Sequence, residues 1–384
     1  MLKKYLLPLD RKVFKDYSEP LNLGQKIKSY LRHPLSHFIL LNVALLIVNL
    51  LAQLEIIPIS LTPAISSVII YAIISIGFCL LLGYSGLASL GTAGFAGIGA
   101  YSAYFVMQKW MHTLIEKNPE LSFLTQYTFI IAIIVAIVVA VAIGLLVGFI
   151  SLRIEGMYLA ILTLGLAQIL FKVFNNIVSG LTKINENMIG FFGYINADGV
   201  MKMDDNLKFI VISVIFTILL WLTSNLINSP TGRAMLAMKN STSAAQAMGI
   251  SLIKYRLLAF VISTIYAAIG GVLYMIQITA VTPEVGFLSL SFSLNILGAV
   301  IVGGSKSLLG TTFGALIVFG LQSIFLINVP FFQKNPQYMG IFTGILLIVV
   351  VMFYPGGLTQ LFYQIKLKIQ SLIKDWKVKK YGSY

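Results

Sequence analysis

The run Thr128-Phe-Ile-Ile-Ala-Ile-Ile-Val-Ala-Ile-Val-Val-Ala-Val-Ala-Ile-Gly144-Leu-Leu-Val-Gly148-Phe-Ile150 carries no charged side chain. A helix needs roughly 17–25 apolar residues to cross the ~30 Å hydrocarbon core of a bilayer, and this run supplies them. In water it would have no polar face to turn outward; lipid is the solvent it fits. Similar runs recur near residues 37–59, 64–83, 87–108, 157–177, 207–227, 256–279, 287–304, 308–328 and 339–357, which makes ten in all. The third and eighth are rich in Gly and Ser.

Composition agrees. Of 384 residues 58 % are apolar and 10 % charged, against about 25 % charged in ordinary globular chains. Mean hydropathy is +0.92. The fold class that follows is an all-α polytopic membrane protein of about ten transmembrane helices.

Charge sets the orientation. With the N-terminus inside and the spans alternating, the cytoplasmic side receives Lys3, Lys4, Arg11, Lys12, Lys15, Lys26, Lys28, Arg32, Arg153, Arg233, Lys239, Lys254, Arg256, Lys306, Lys366, Lys368, Lys374, Lys377, Lys379 and Lys380. That is 20 of the 27 Lys and Arg, as the positive-inside rule requires. Seven remain outside: Lys109, Lys117, Lys172, Lys183, Lys202, Lys208 and Lys334. Both termini are thus expected in the cytoplasm, and an odd number of spans would push a basic tail out. The chain divides into a basic segment 1–36, a membrane domain 37–358 and a basic tail 359–384. In the tail Phe362, Ile365, Ile369, Leu372, Ile373 and Trp376 follow helical spacing with lysines opposite, the pattern of an amphipathic helix on membrane lipid or of a solvated one. The net charge of +14 is a topology signal rather than a nucleic-acid footprint, because it sits in tails and short loops and not on one basic face. The long polar lead before the first apolar run is not that of a cleavable signal.

Enzymatic chemistry finds little support. Cys79 is a single thiol in an apolar run, and His33, His37 and His112 have no metal-ligand or triad company. Gly97-Ile-Gly99 lacks the strand–turn–helix context of a dinucleotide fingerprint, and Gly304-Ser-Lys306-Ser lacks the spacing of a P-loop. No metal, cofactor or nucleotide site of the chain's own is expected. No acidic residue lies at the centre of a span, which argues against proton- or ion-driven transport, since coupling ions usually need an intramembrane carboxylate or histidine.

Gly83 to Ser102 is the most unusual stretch. Gly91, Gly94 and Gly97 recur at three-residue intervals, leaving one helix face nearly bare. Close helix packing explains such a face, and so does a broken helix lining a solute path. Gly144/Gly148, Gly310/Gly314 and Gly340/Gly344 are further Gly-x-x-x-Gly pairs. Thr163 and Gln168 interrupt the fifth span, and Ser291, Asn295 and Gly298 share a face of the eighth. Either interhelical hydrogen bonding or path lining accounts for these residues.

The loop Asn228–Arg256 opens with Ser229-Pro230, a cap followed by proline in the first helical turn, and its helix formers run to Gly249, a natural C-terminal cap. Its Ser229-Pro-Thr-Gly232-Arg233-Ala-Met and Ala244-Ala245-Gln246-Ala-Met-Gly249-Ile, followed by Lys254-Tyr-Arg-Leu-Leu-Ala-Phe-Val-Ile-Ser263, resemble the coupling loop and following helix of branched-chain amino acid ABC transporter permeases, M-type subunit. Gly86–Tyr101, Glu155–Gly165, Val281–Glu284 with Val302–Gly310, and Tyr354–Leu358 resemble four other family stretches, together spanning residues 65–360. The resemblance implies a type II ABC importer-like permease. It would form half of the translocation path in a bacterial inner membrane, with Gly91, Gly94, Gly97, Thr163, Gln168, Ser291 and Asn295 as path candidates. The implied partners are a second permease (the same chain or a related one), two cytoplasmic ATPases that bind the ATP, and an extracytoplasmic substrate-binding protein. Gly232, Arg233, Lys239, Ala244, Ala245, Gln246 and Gly249 would dock on an ATPase. This chain departs from the family where acidic residues are usual: Asn240, Thr242 and Gln246 stand there. Nucleoside and simple-sugar permeases share the scaffold, and a stand-alone secondary carrier is the reading from another class.

Overall fold

A computed structural model describes residues 34–56, 58, 61–110, 113, 117, 119–151, 156–177, 182–183, 189, 191, 203–281, 289–335, 337–354, 356–360 and 364. The basic segment before residue 34, nearly all of the amphipathic tail and most of the 180–206 loop lie outside the described residues. Each expected apolar run contains a helix, although the third, expected from residue 87, becomes helical only at Thr92. α1 is Pro34–Gln53, and α2 is Leu61–Cys79 with a π-helical extension Leu80–Ser85. α3 is Thr92–Tyr104, extended by a π-helix over Phe105–Trp110. A 3₁₀ turn Pro119–Tyr127 leads into α4, Thr128–Ser151, and α5 is Met157–Ile177. α6 is Asp205–Asn228, α7 Pro230–Asn240, α8 Thr242–Ala247 and α9 Leu252–Ile278. α10 is Leu290–Gly303, and α11 is Leu308–Ala315, continued as a π-helix over Leu316–Phe325. α12 is Pro330–Lys334 and α13 is Gln337–Phe353.

By length and composition, five helical stretches among the described residues can cross a membrane: Leu61–Ser85, Phe123–Ile150, Asp205–Asn228, Leu252–Ile278 and Leu308–Phe325. Phe38–Gln53, Tyr158–Phe174, Leu290–Gly303 and Tyr338–Val350 are shorter and equally apolar in character. α3, rich in Gly, Ala and Tyr, belongs to neither set. Its position explains why: Thr92 to Tyr101 are all buried, so it is surrounded by protein and needs no lipid-soluble exterior.

α2, α3 and α9 form the centre of the bundle. In the most apolar window of α2 78 % of residues are buried, against 28 % in α4, which turns most of its surface outward. Apolar side chains gain little from leaving lipid, so such a centre is held by close packing of small residues. A Cβ on Gly99 would strike the backbone of Ala268 in α9, and one on Gly271 of α9 would strike the backbone of Ala96 in α3. The two helices therefore touch main chain to main chain. At the periphery, Asn42 of α1 donates from Nδ2 to Ser213 O and to Thr217 Oγ1 of α6, both at 2.8 Å. The helical reading did not anticipate one detail, a two-residue antiparallel ladder pairing Thr182–Lys183 with Ala280–Val281. It fastens the loop after α5 to the end of α9.

Candidate functional site

α7 and α8 project from one end of the bundle, the basic end. Local chemistry shapes them. Ser229, extended at φ −75° and ψ 167°, caps α7: its hydroxyl accepts from Gly232 N, and Pro230 fills the first turn. A Cβ on Gly232 would collide with the carbonyls of Leu226 and Ile227, so only glycine permits so tight a corner between α6 and α7. Arg233 is exposed and donates from Nη1 to Asn228 O at 3.3 Å, at the end of α6. Met235 and Met238 are buried, and α7 rests on the π-helical end of α2. Lys239 secures that contact by donating from Nζ to Gly83 O at 2.7 Å.

Ser241 breaks the helix and caps α8 by accepting from Ala244 N at 3.2 Å. The far end is a Schellman closure: Ile250 N donates to Ala245 O and Gly249 N to Gln246 O, with Gly249 at φ +76°. This is the C-terminal cap that the sequence predicts at Gly249. Ala245 is buried, while Ala244, Gln246 and Gly249 are exposed, as are Asn240 and Thr242. Met248 is 82 % exposed. Sequence reasoning passed it over, although an apolar residue between an alanine-rich turn and its glycine cap is a signal that could have found it.

Behind α7 a crevice of about 170 Å³ brings together Gly86, Gly156, Lys239 and Arg256, from stretches distant in sequence. Beside it the α10–α11 loop is clamped from three sides. Cys79 donates from Sγ to Ser305 O at 3.2 Å, Tyr84 OH to Lys306 O at 2.9 Å, and Thr359 Oγ1 to Gly303 O at 2.6 Å.

The path candidates separate by environment. The chain is irregular between Gly86 and Gly91, and α3 begins among neighbours that satisfy its first amides. Leu90 N donates to Thr163 Oγ1 of α5 and Ala93 N to Ser293 Oγ of α10, both at 3.0 Å. Gly91 N donates to Ser89 Oγ at 3.2 Å. A helix start inside a membrane protein needs such partners, because no water is at hand to satisfy its orphan N–H groups. Gly91 and Gly94 face α5, where a Cβ would come within 2.9 Å of Thr163 O and of Ala167 Cα respectively, and Gly97 is buried. Thr163 is buried as well. Gln168 and Ser291 are exposed and Asn295 is half-buried. On α5, Tyr158, Ile161, Gly165, Gln168 and Lys172 form one exposed face, at the alternating 3–4 spacing of a helix seam. Among the described residues no three His, Cys, Asp or Glu side chains gather where a metal could bind.

Comparison with known proteins places these features. The profile of the family described as "Branched-chain amino acid transport system / permease component" matches residues 60–351. The high-affinity branched-chain amino acid transport system permease protein LivM of Salmonella typhimurium is 26 % identical over 324 residues, covering 78 % of this chain and 70 % of that protein. Its Escherichia coli counterpart is 27 % identical over the same shares. The fructose import permease protein FrcC of Rhizobium meliloti is 27 % identical over 37 % of this chain and 39 % of its own length. No solved structure matches.

Proposed function

The chain belongs to the family of branched-chain amino acid transport system permease components, and we propose that it is the membrane-spanning half of an ATP-driven importer for branched-chain amino acids in a bacterial inner membrane. Both termini face the cytoplasm, as does the basic end. The α7–α8 segment docks on a cytoplasmic ATPase there, a second permease completes the path, and an extracytoplasmic binding protein delivers the solute. The observation that carries this reading is the exposed tip 240–249. It is held by the Ser241 cap and a Schellman closure, yet it turns Ala244, Gln246 and Met248 away from the described residues of the bundle. A rigid projection seated on the ends of α2 and α9 can move those helices as a body when its partner moves. With Asn240, Thr242 and Gln246 in place of acids, the contact relies on hydrogen bonds and the Met248 side chain rather than ion pairs.

The path side of the molecule is the face of α5 carrying Gly165, Gln168 and Lys172, together with Ser291 and Asn295 of α10. Gln168 supports this, because an exposed amide midway along a membrane helix is costly against lipid and tolerable against water or a partner. Gly91, Gly94 and Thr163 serve the path indirectly, by holding the start of α3 between those two helices.

Reconstitution with the ATPases and binding protein encoded beside the gene, followed by leucine uptake, tests the proposal. ATP-dependent uptake is expected, and uptake that continues without ATP, or through this chain alone, would overturn it. The similarity to a fructose permease favours sugar as the second reading; competition of leucine uptake by simple sugars separates the two.

A further inference from the structure

A cavity of about 770 Å³ lies at the basic end. It reaches from Leu82 and Ile301, near the ends of α2 and α10, to Lys239 of α7, Lys306 and Ser307 of the α10–α11 loop, and Gln360 beyond α13. Two cations from different elements therefore share one space, and none of the described residues lining it is acidic. Lys239 is not placed there by chance of rotamer alone. Lys239 is oriented by its bond to Gly83 O, which uses one of the three ammonium donors and leaves two. The backbone of Lys306 is fixed by Tyr84. Burial, and after it the Lys306 charge, lower the Lys239 pKa, as expected of two like charges that share one space.

The lining decides what anion fits. Apolar residues near helix ends, Leu82 and Ile301, share the cavity with the cations Lys239 and Lys306. Two residues beyond Ser307, Leu309 of α11 lines a separate apolar cleft of about 260 Å³, which α11 shares with α1 and α2. Basic pockets between helices on the cytoplasmic side suit anionic lipid headgroups. We propose that this cavity binds the phosphate of an anionic phospholipid between Lys239 and Lys306, with an acyl chain lying along the apolar side of α11. The inference goes beyond the transport reading. Lys306 lies outside the docking segment, and the test below contains no ATPase, so either idea can fail without the other.

The full-length chain, purified in zwitterionic micelles, is titrated with phosphatidylglycerol or phosphatidylcholine while thermal unfolding and lipid retention by native mass spectrometry are followed. Phosphatidylglycerol should raise the unfolding temperature and remain bound; phosphatidylcholine should do neither. Lys306→Gln should weaken phosphatidylglycerol retention about fivefold, from ~1 kcal/mol per basic residue at a membrane surface, and Lys306→Arg should restore it. Lys239→Gln should weaken it at least as much. Equal retention of both lipids, or retention untouched in both glutamine variants, overturns the proposal. Inorganic phosphate producing the whole stabilisation in the absence of lipid also overturns it, in favour of a free anion.

Discussion

Gly99 and Gly271 sit where α3 and α9 cross with their main chains in contact. Any side chain there must push apart a pair of helices that packing alone holds together. Gly99→Val should therefore destabilise the chain by about 3 kcal/mol or more, the upper end for overpacked cores, and deplete it from the membrane. Gly340→Ala is the control, since a Cβ at Gly340 meets nothing within 4 Å; thermal unfolding of the two variants in micelles should differ sharply. Gly249 poses the opposite problem. Its surroundings are open, but its φ of +76° costs an L side chain ~1–2 kcal/mol. Gly249→Val should leave insertion and expression intact while opening the Schellman turn, so ATP-driven uptake falls and the ATPases turn over without transport. Arg233→Ala should uncouple in the same manner, and normal uptake by both variants would remove the docking assignment. A glycine stripe reads alike in sequence whether a backbone or a void lies over it. That is why Gly91 and Gly94 suited both packing and a path, while the structure sets them against α5 and leaves Gly340 and Gly344 bare.

At the scale of elements, the two ends of the α7–α8 segment were legible because caps are local. Ser229-Pro230 and the Gly249 stop act within a few residues and need no tertiary knowledge, but the sequence reads as one helix between them, and the break at Ser241 that makes it two was not read. The exposure of Met248 was not legible in this way, since it depends on which side of α8 rests on the bundle. That side is Ala245, which is 3 % exposed against 82 % for Met248. If the tip docks as proposed, Met248 is its largest apolar anchor. Met248→Ala should weaken association with the ATPase about tenfold, or ~1.4 kcal/mol, without shifting the unfolding temperature of the isolated chain. Ala245→Leu should do the reverse, destabilising the chain itself through overpacking of ~1–3 kcal/mol. Co-purification of the complex and micelle unfolding, measured on both variants, separate a docking face from a packing face. The late start of α3 was hidden for a related reason: its amides there are met by neighbours, Thr163 accepting from Leu90 N and Ser293 from Ala93 N, rather than by its own sequence.

For the molecule as a whole, hydrophobic patterning and charge located the apolar helices and the basic end, but not the faces that meet lipid. A span is apolar all round, so its partners are invisible until the helices are placed. Gln168 turns this into a test. It lies about 16 Å from the start of α5 at 1.5 Å per residue, close to mid-bilayer, and its amide is exposed. Were that face lipid, Gln168→Leu would relieve a polar group of an apolar solvent and improve stability with no effect on uptake. If the face instead borders the path or the second permease, the same substitution removes a hydrogen-bonding group from a wet or protein-lined surface. The isolated chain should then unfold at an unchanged or slightly higher temperature, because an exposed Gln168 contributes little to packing within it. Uptake in the assembled importer should fall about tenfold, the equivalent of one hydrogen bond of ~1.5 kcal/mol. Ile169→Gln, one position round the same helix, should reverse the pattern if Ile169 meets lipid, lowering insertion before uptake per inserted molecule. Equal behaviour of the two variants would mean that α5 shows a single environment to the membrane, and the path would then have to be sought on α10 alone.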